Sequence, residues 1–76
     1  MKLKETFFTA EGGSAYNTLI RRSSMGSHIV GCLAEGTTEE AIISQLRALY
    51  DVPGEVVEAA VADILTKLRE ADLLEE

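Results

Sequence analysis

Residues 16–76 carry one continuous pattern, a short β-favouring run from Tyr16 to Arg22 and then three stretches in which apolar side chains recur every three or four residues. That spacing puts each apolar set on one face of a helix. In a chain of 76 residues those faces have only one another and a small sheet to bury against. A domain of this size buries roughly 60–65% of its unfolded surface, which leaves no room for a separate catalytic unit. One domain over residues 1–76 is expected.

The sharpest turn signal is Glu11–Gly12–Gly13–Ser14. Paired glycines supply the positive φ angles of a tight hairpin, and β-favouring residues lie on both sides. Leu3–Thr9 and Ala15–Arg22 are therefore expected to pair, giving a hairpin over 3–22. Ser23 and Ser24 can accept from free amides at the start of a helix over about 24–34, in which Gly26 and Gly31 suggest close packing against another element. Thr37–Thr38–Glu39–Glu40 reads as a capping box, with the Thr37 hydroxyl on the Glu40 amide. It opens a helix over 38–50 whose buried stripe is Ile42, Ile43, Leu46, Leu49 and Tyr50. Asp51–Val52–Pro53–Gly54 breaks that helix, and another over 54–71 carries Val57, Val61, Ile64, Leu65 and Leu68 on one face. Leu73 and Leu74 are expected to fold back onto the core. A hairpin with three helices makes the fold class α+β, a small winged-helix-like domain.

Charge narrows the function classes. With 13 acidic and 7 basic side chains the chain carries −6, whereas a nucleic-acid-binding domain relies on cationic groups replacing counterions at phosphates. No nucleic-acid partner is expected. One cysteine, Cys32, forms no internal disulfide and no zinc site by itself, which fits a reducing compartment, the cytoplasm. No apolar run approaches the ~18 residues of a membrane span, so no membrane association is expected either.

Few residues are arranged for chemistry. His28 reads as a lone surface imidazole, without a second histidine, a cysteine neighbour or a carboxylate at i+4 to make a metal site or a catalytic base. Cys32, among Ile29, Leu33 and the glycines, reads as a small apolar filler of the core. Ser23, Ser24 and Ser27 lack an oriented His–Asp pair, and helix capping accounts for two of them. Gly12–Gly13 has no following Lys-Ser/Thr for a phosphate loop. No cofactor, no metal and no enzymatic activity are expected. Arg21–Arg22, leading out of the strand, reads as a solvated edge that discourages sheet aggregation, with acidic selectivity as the sharper alternative.

The strand-plus-cap segment Tyr16–Val30, then Leu33–Glu40, then Leu46 with Leu49–Val52, and the ending Val61, Leu65, Lys67–Glu70 and Leu73–Leu74 together resemble the PqqD-like family of peptide-binding domains, also called RiPP recognition elements. The likeness covers about residues 16–76 and rests on the ordered series rather than on any one motif. The chain departs from the family at Val30, where relatives place a tryptophan, at Ala60, where they place an aspartate, and at Arg22–Ser23, where they place Leu–Asn. The hairpin is also shorter than in relatives that open with a similar Met-Lys-Leu-Lys-Glu.

The resemblance implies that the leader of a ribosomally made precursor peptide adds as a strand to an open sheet edge and lies against the last helix, before a partner, often a radical SAM enzyme, modifies the core peptide. Carried over, the edge is Thr18, Leu19, Ile20, Arg21 and Arg22, and the groove wall comes from Val57, Val61 and Ile64. A homodimer through the hairpin edge is a further expectation. Two other classes share the inventory. An acidic carrier protein needs a serine, usually in Asp-Ser-Leu, for phosphopantetheine, and Arg22–Ser23–Ser24–Met25 lacks both flanking residues. A winged-helix regulator needs a basic recognition helix, which this chain does not offer.

Overall fold

The computed structural model describes all 76 residues. Its elements are β1 (Lys2–Leu3), a 3-10 turn (Glu5–Phe8), α1 (Ser14–Ile20), α2 (Ser24–Glu35), α3 (Glu39–Leu49), α4 (Gly54–Glu70) and β2 (Leu74–Glu75). The α+β class stands, with four helices in place of the expected three. The expected hairpin over 3–22 is not formed. Its first limb is a bend with one 3-10 turn and its second limb is α1.

The physical reason lies in two residue patterns. Tyr16, Leu19 and Ile20 stand at i, i+3, i+4, so one turn of helix groups all three, and Ile20 is buried as a result. The glycine pair serves close approach instead of a left-handed turn. Gly36 is the one glycine with positive φ, whereas Gly13 lies where a Cβ would strike the Phe7 backbone, and the Gly13 amide donates to the Thr6 carbonyl at 2.7 Å. That contact lets the 3-10 turn fold over the start of α1 and sink the Phe7 ring completely, a burial worth roughly 2–3 kcal/mol.

The sheet joins the two ends of the chain. β1 and β2 run antiparallel with Lys2 opposite Glu75 and Leu3 opposite Leu74. Beyond the ladder, Lys4 donates its amide to the Leu73 carbonyl at 2.9 Å. Leu73 and Leu74 are both buried, as expected, and Asp72 makes the turn into them at φ 57°. Just ahead of β1, the Thr37 amide donates to the Met1 carbonyl at 2.8 Å and the Met1 ammonium to the Thr37 carbonyl at 2.7 Å, which ties the start of the chain to the loop after α2.

Helices α2, α3 and α4 start where their caps put them. The Ser23 hydroxyl accepts from the Gly26 amide at 2.9 Å. At α3 the cap is Thr38, accepting from Ala41 at 3.1 Å, one residue later than the expected Thr37. The third position after it is then alanine, so Glu40 has no reciprocal bond to make. Gly26 explains how α1 meets α2, because a Cβ there would collide with the Ile20 carbonyl. Gly31 is different: nothing approaches within 4 Å, so its expected close packing is absent.

The core gathers Leu3, Phe7 and Ile20 from the N-terminal part with Ile29, Val30, Leu33, Ile42, Leu46, Val57, Val61, Leu65, Leu68, Leu73 and Leu74. Leu49 does not join its expected stripe and is 62% exposed. It is the last residue of α3, and the chain turns away at Tyr50 before α4 begins.

Candidate functional site

The surface around α1 is the part of the molecule that differs most from expectation, and it carries two of the large apolar side chains left uncovered, Phe8 and Leu19; the others, Leu49, Val52 and Val56, lie where α3 passes into α4. Ala15, Tyr16 and Leu19 line an open apolar depression of about 350 Å³. Leu19 is 48% exposed, and Phe8, on the turn packed against α1, is 51% exposed with its ring edge-to-face on Phe7. Large apolar side chains left in water beside a buried core are the usual material of a contact surface. At the end of α1 come Arg21 and Arg22, both exposed. The Arg21 guanidinium is steadied by the Asn17 side-chain oxygen one turn back.

The residues expected to line a peptide edge and groove are distributed as follows. Thr18 and Leu19 are exposed on α1, Ile20 is buried beneath it, and Arg21 and Arg22 are exposed after it. Their backbone is not an open strand: Thr18, Leu19 and Ile20 are helical, the Arg21 amide donates to Asn17 at 3.0 Å and the Arg22 amide to Leu19 at 3.4 Å. Strand addition along Thr18–Arg22 is therefore not available in this conformation, because the segment is helical through Ile20 and its amides are already bonded to α1. The hairpin edge expected to pair two copies is lost with it. On α4, Val57 and Val61 are wholly inside the core and Ile64 is half-buried, so the two valines present no side chain to a groove. α1 packs on the 3-10 turn and on α2, whereas α4 packs on α3 and β2.

A second concavity, about 380 Å³, lies between α3 and α4, lined by Ile43 and the polar or charged Glu40, Ser44, Arg47 and Glu58. A third grouping escaped the sequence reading. The imidazole of His28 and the thiol of Cys32 both meet the Gln45 side-chain oxygen at 3.2 Å. Contrary to the expectation of a lone imidazole, His28 shares this partner with Cys32, which stands one helical turn away at i+4. Cys32 sits half-buried at the core margin rather than within it. Burial, with the Glu35 carboxylate adding to it, pushes the Cys32 thiol up from its ordinary value. A thiol so shifted is a poor nucleophile at neutral pH.

Close to α1, Ser24 and Tyr50 join hydroxyls at 2.6 Å and tie the start of α2 to the end of α3. At the far end of the chain Arg69 bonds the Glu76 carboxylate at 3.1 and 3.2 Å. No helix is long and apolar enough to cross a membrane.

The family model of coenzyme PQQ synthesis protein D (PqqD) matches residues 11–74. No curated protein and no solved structure matches the chain.

Proposed function

This chain belongs to the family of coenzyme PQQ synthesis protein D, and from that premise we propose that it is a peptide-binding accessory protein. It holds the leader segment of a ribosomally made precursor peptide and presents it to a modifying enzyme, of the radical SAM type, in the cytoplasm. The observation that carries this reading is the match over residues 11–74, which takes in all four helices and the start of β2. The family's members are non-catalytic accessory proteins, and this chain is read as one of them.

The mode of contact departs from strand addition at Thr18–Arg22. Side chains make the contact instead: Thr18 and Leu19 on α1, with Arg21 and Arg22 beyond its end. Ile20 contributes by packing beneath α1, whereas Val57 and Val61, inside the core, and the half-buried Ile64 belong to α4, which packs on α3 and β2 and not on this face. Val30, at the family's tryptophan position, is fully buried, and Ala60, at its aspartate position, is half-buried. These two departures alter the interior more than the exposed face.

The test is calorimetric titration of the protein with a precursor peptide encoded beside its gene, whole and with the leader removed. Micromolar binding of the whole peptide and none of the core alone is expected. Equal binding of both, or of neither, would contradict leader recognition.

A further inference from the structure

We propose that the α1 face selects an acidic segment of its peptide partner, one apolar side chain seating against Ala15, Tyr16 and Leu19 while adjacent carboxylates meet Arg21 and Arg22. This rests on the peptide-binding reading above and adds the chemistry of the segment that is bound.

The charge distribution is the first observation. None of the 13 acidic residues falls between Glu11 and Glu35. With two arginines and no carboxylate, residues 12–34 carry +2, while the remaining five basic and 13 acidic side chains give −8. The segment holding α1 and nearly all of α2 is thus an acid-free island in an acidic chain. Arginines without a carboxylate partner are the second observation. The ion pairs of the molecule are Lys4–Asp72, Lys67–Asp63 and Arg69–Glu76, so neither Arg21 nor Arg22 is neutralised by a partner. An unpaired arginine offers a planar fork of donors that suits a carboxylate.

Position joins the two. The depression is lined by α1 residues Ala15, Tyr16 and Leu19, and the two exposed arginines follow directly on the last turn of that helix, Arg22 three residues after Leu19 and Arg21 one turn after Asn17, so a short segment that continues past the end of α1 passes from the apolar depression to the guanidinium groups. Elsewhere acidic neighbours oppose such a segment: Arg47, also outside the ion pairs, shares its concavity with Glu40 and Glu58. The other exposed large apolar side chains, Leu49, Val52 and Val56, have Asp51 and Glu55 beside them in the chain, and like charges there disfavour an acidic peptide. Complementary charge of this kind decides which partner docks, while the apolar contact supplies most of the hold.

The experiment uses the whole chain and a fluorescently labelled short peptide with one leucine between two pairs of glutamates, compared with its glutamine and lysine versions by anisotropy. The glutamate peptide is expected to bind roughly 3- to 10-fold tighter than the glutamine version, the worth of one or two exposed ion pairs. An Arg21→Glu, Arg22→Glu double variant loses that preference and shifts it toward the lysine peptide, and Leu19→Asn weakens all three. These positions are exposed, and circular dichroism confirms that each variant is folded. Equal affinity for the glutamate and glutamine peptides overturns the proposal, as does a preference that survives the double variant. Concentration-dependent association of the unliganded protein that Leu19→Asn abolishes would assign the face to a second copy and also overturn it. If the precursor still titrates by calorimetry while the isosteres bind alike, peptide binding stands and this chemistry falls. If the precursor does not bind either, the broader reading falls with it.

Discussion

Two glycines on one helix should respond to the same substitution with opposite signs. At Gly26 of α2 an added Cβ meets the carbonyl oxygen of Ile20 and comes within 2.9 Å of the Ser23 hydroxyl that caps the helix. A carbonyl fixed in the last turn of α1 cannot swing away as a side-chain tip can, so Gly26→Ala must push α1 off α2. Overpacking of this kind costs about 1–3 kcal/mol, against which the better helix propensity of alanine returns about 1 kcal/mol. The expected result is a net loss of up to ~2 kcal/mol. At Gly31, five residues later, nothing lies within 4 Å. Gly31→Ala there gains about 0.5–1 kcal/mol from the backbone alone. Urea unfolding followed by circular dichroism reads both changes, and in a domain of this size each kcal/mol moves Tm by about 4–8 °C. Two variants shifted in the same direction would refute the close crossing of α1 and α2, and with it the helical assignment of Ser14–Ile20.

Three further outcomes follow from local contacts. Thr38→Ala removes the hydroxyl that accepts from Ala41 and should cost about 1 kcal/mol in the same assay, whereas a larger loss at Thr37→Ala would return the cap to Thr37. Arg69 hydrogen-bonds Glu76 and holds its carboxyl below the usual carboxylate range. A depressed folded value gives stability that is present above the unfolded pKa and lost as pH falls through the folded one. The Tm difference between the protein and Glu76→Gln should therefore shrink as the solution is acidified below about pH 4, and a difference unchanged at pH 2 would contradict the pairing. Burial, and then Glu35, raise the Cys32 thiol, so iodoacetamide at pH 8 should label the folded protein more slowly than the urea-unfolded chain; mass spectrometry that found equal rates would contradict it.

The helices that carry their own punctuation were legible in the sequence. Ser23, the Thr37–Thr38 pair and Pro53 mark the starts of α2, α3 and α4, and the apolar spacing of Ile42 and Leu46 or of Val57, Val61, Leu65 and Leu68 states which faces are buried. α1 was not legible because seven residues are too few to separate a two-residue from a 3.6-residue period. Tyr, Thr and Ile favour strands, and only the tertiary contacts of Ile20 and Tyr16 with the core decide for helix. Gly12–Gly13 misled in the same way, since a glycine needed for close approach and one needed for a left-handed turn are identical in sequence. The pairing of Lys2–Leu3 with Leu74–Glu75 joins opposite ends of the chain, and no local signal specifies a partner so distant. For the contact surface, Leu19, Arg21 and Arg22 were among the residues singled out, but as members of a strand. Their side chains are exposed around a helix while their amides are spent inside it.

A leader peptide held by this protein is expected to meet the α1 face. Amide spectra of the isotope-labelled protein, recorded while the leader of a precursor encoded beside its gene is added, measure this directly. Shifts at Ala15, Tyr16, Leu19 and Arg22 that saturate at micromolar peptide are the predicted result. Spectra unchanged at millimolar peptide, or shifts that leave α1 untouched, would contradict it.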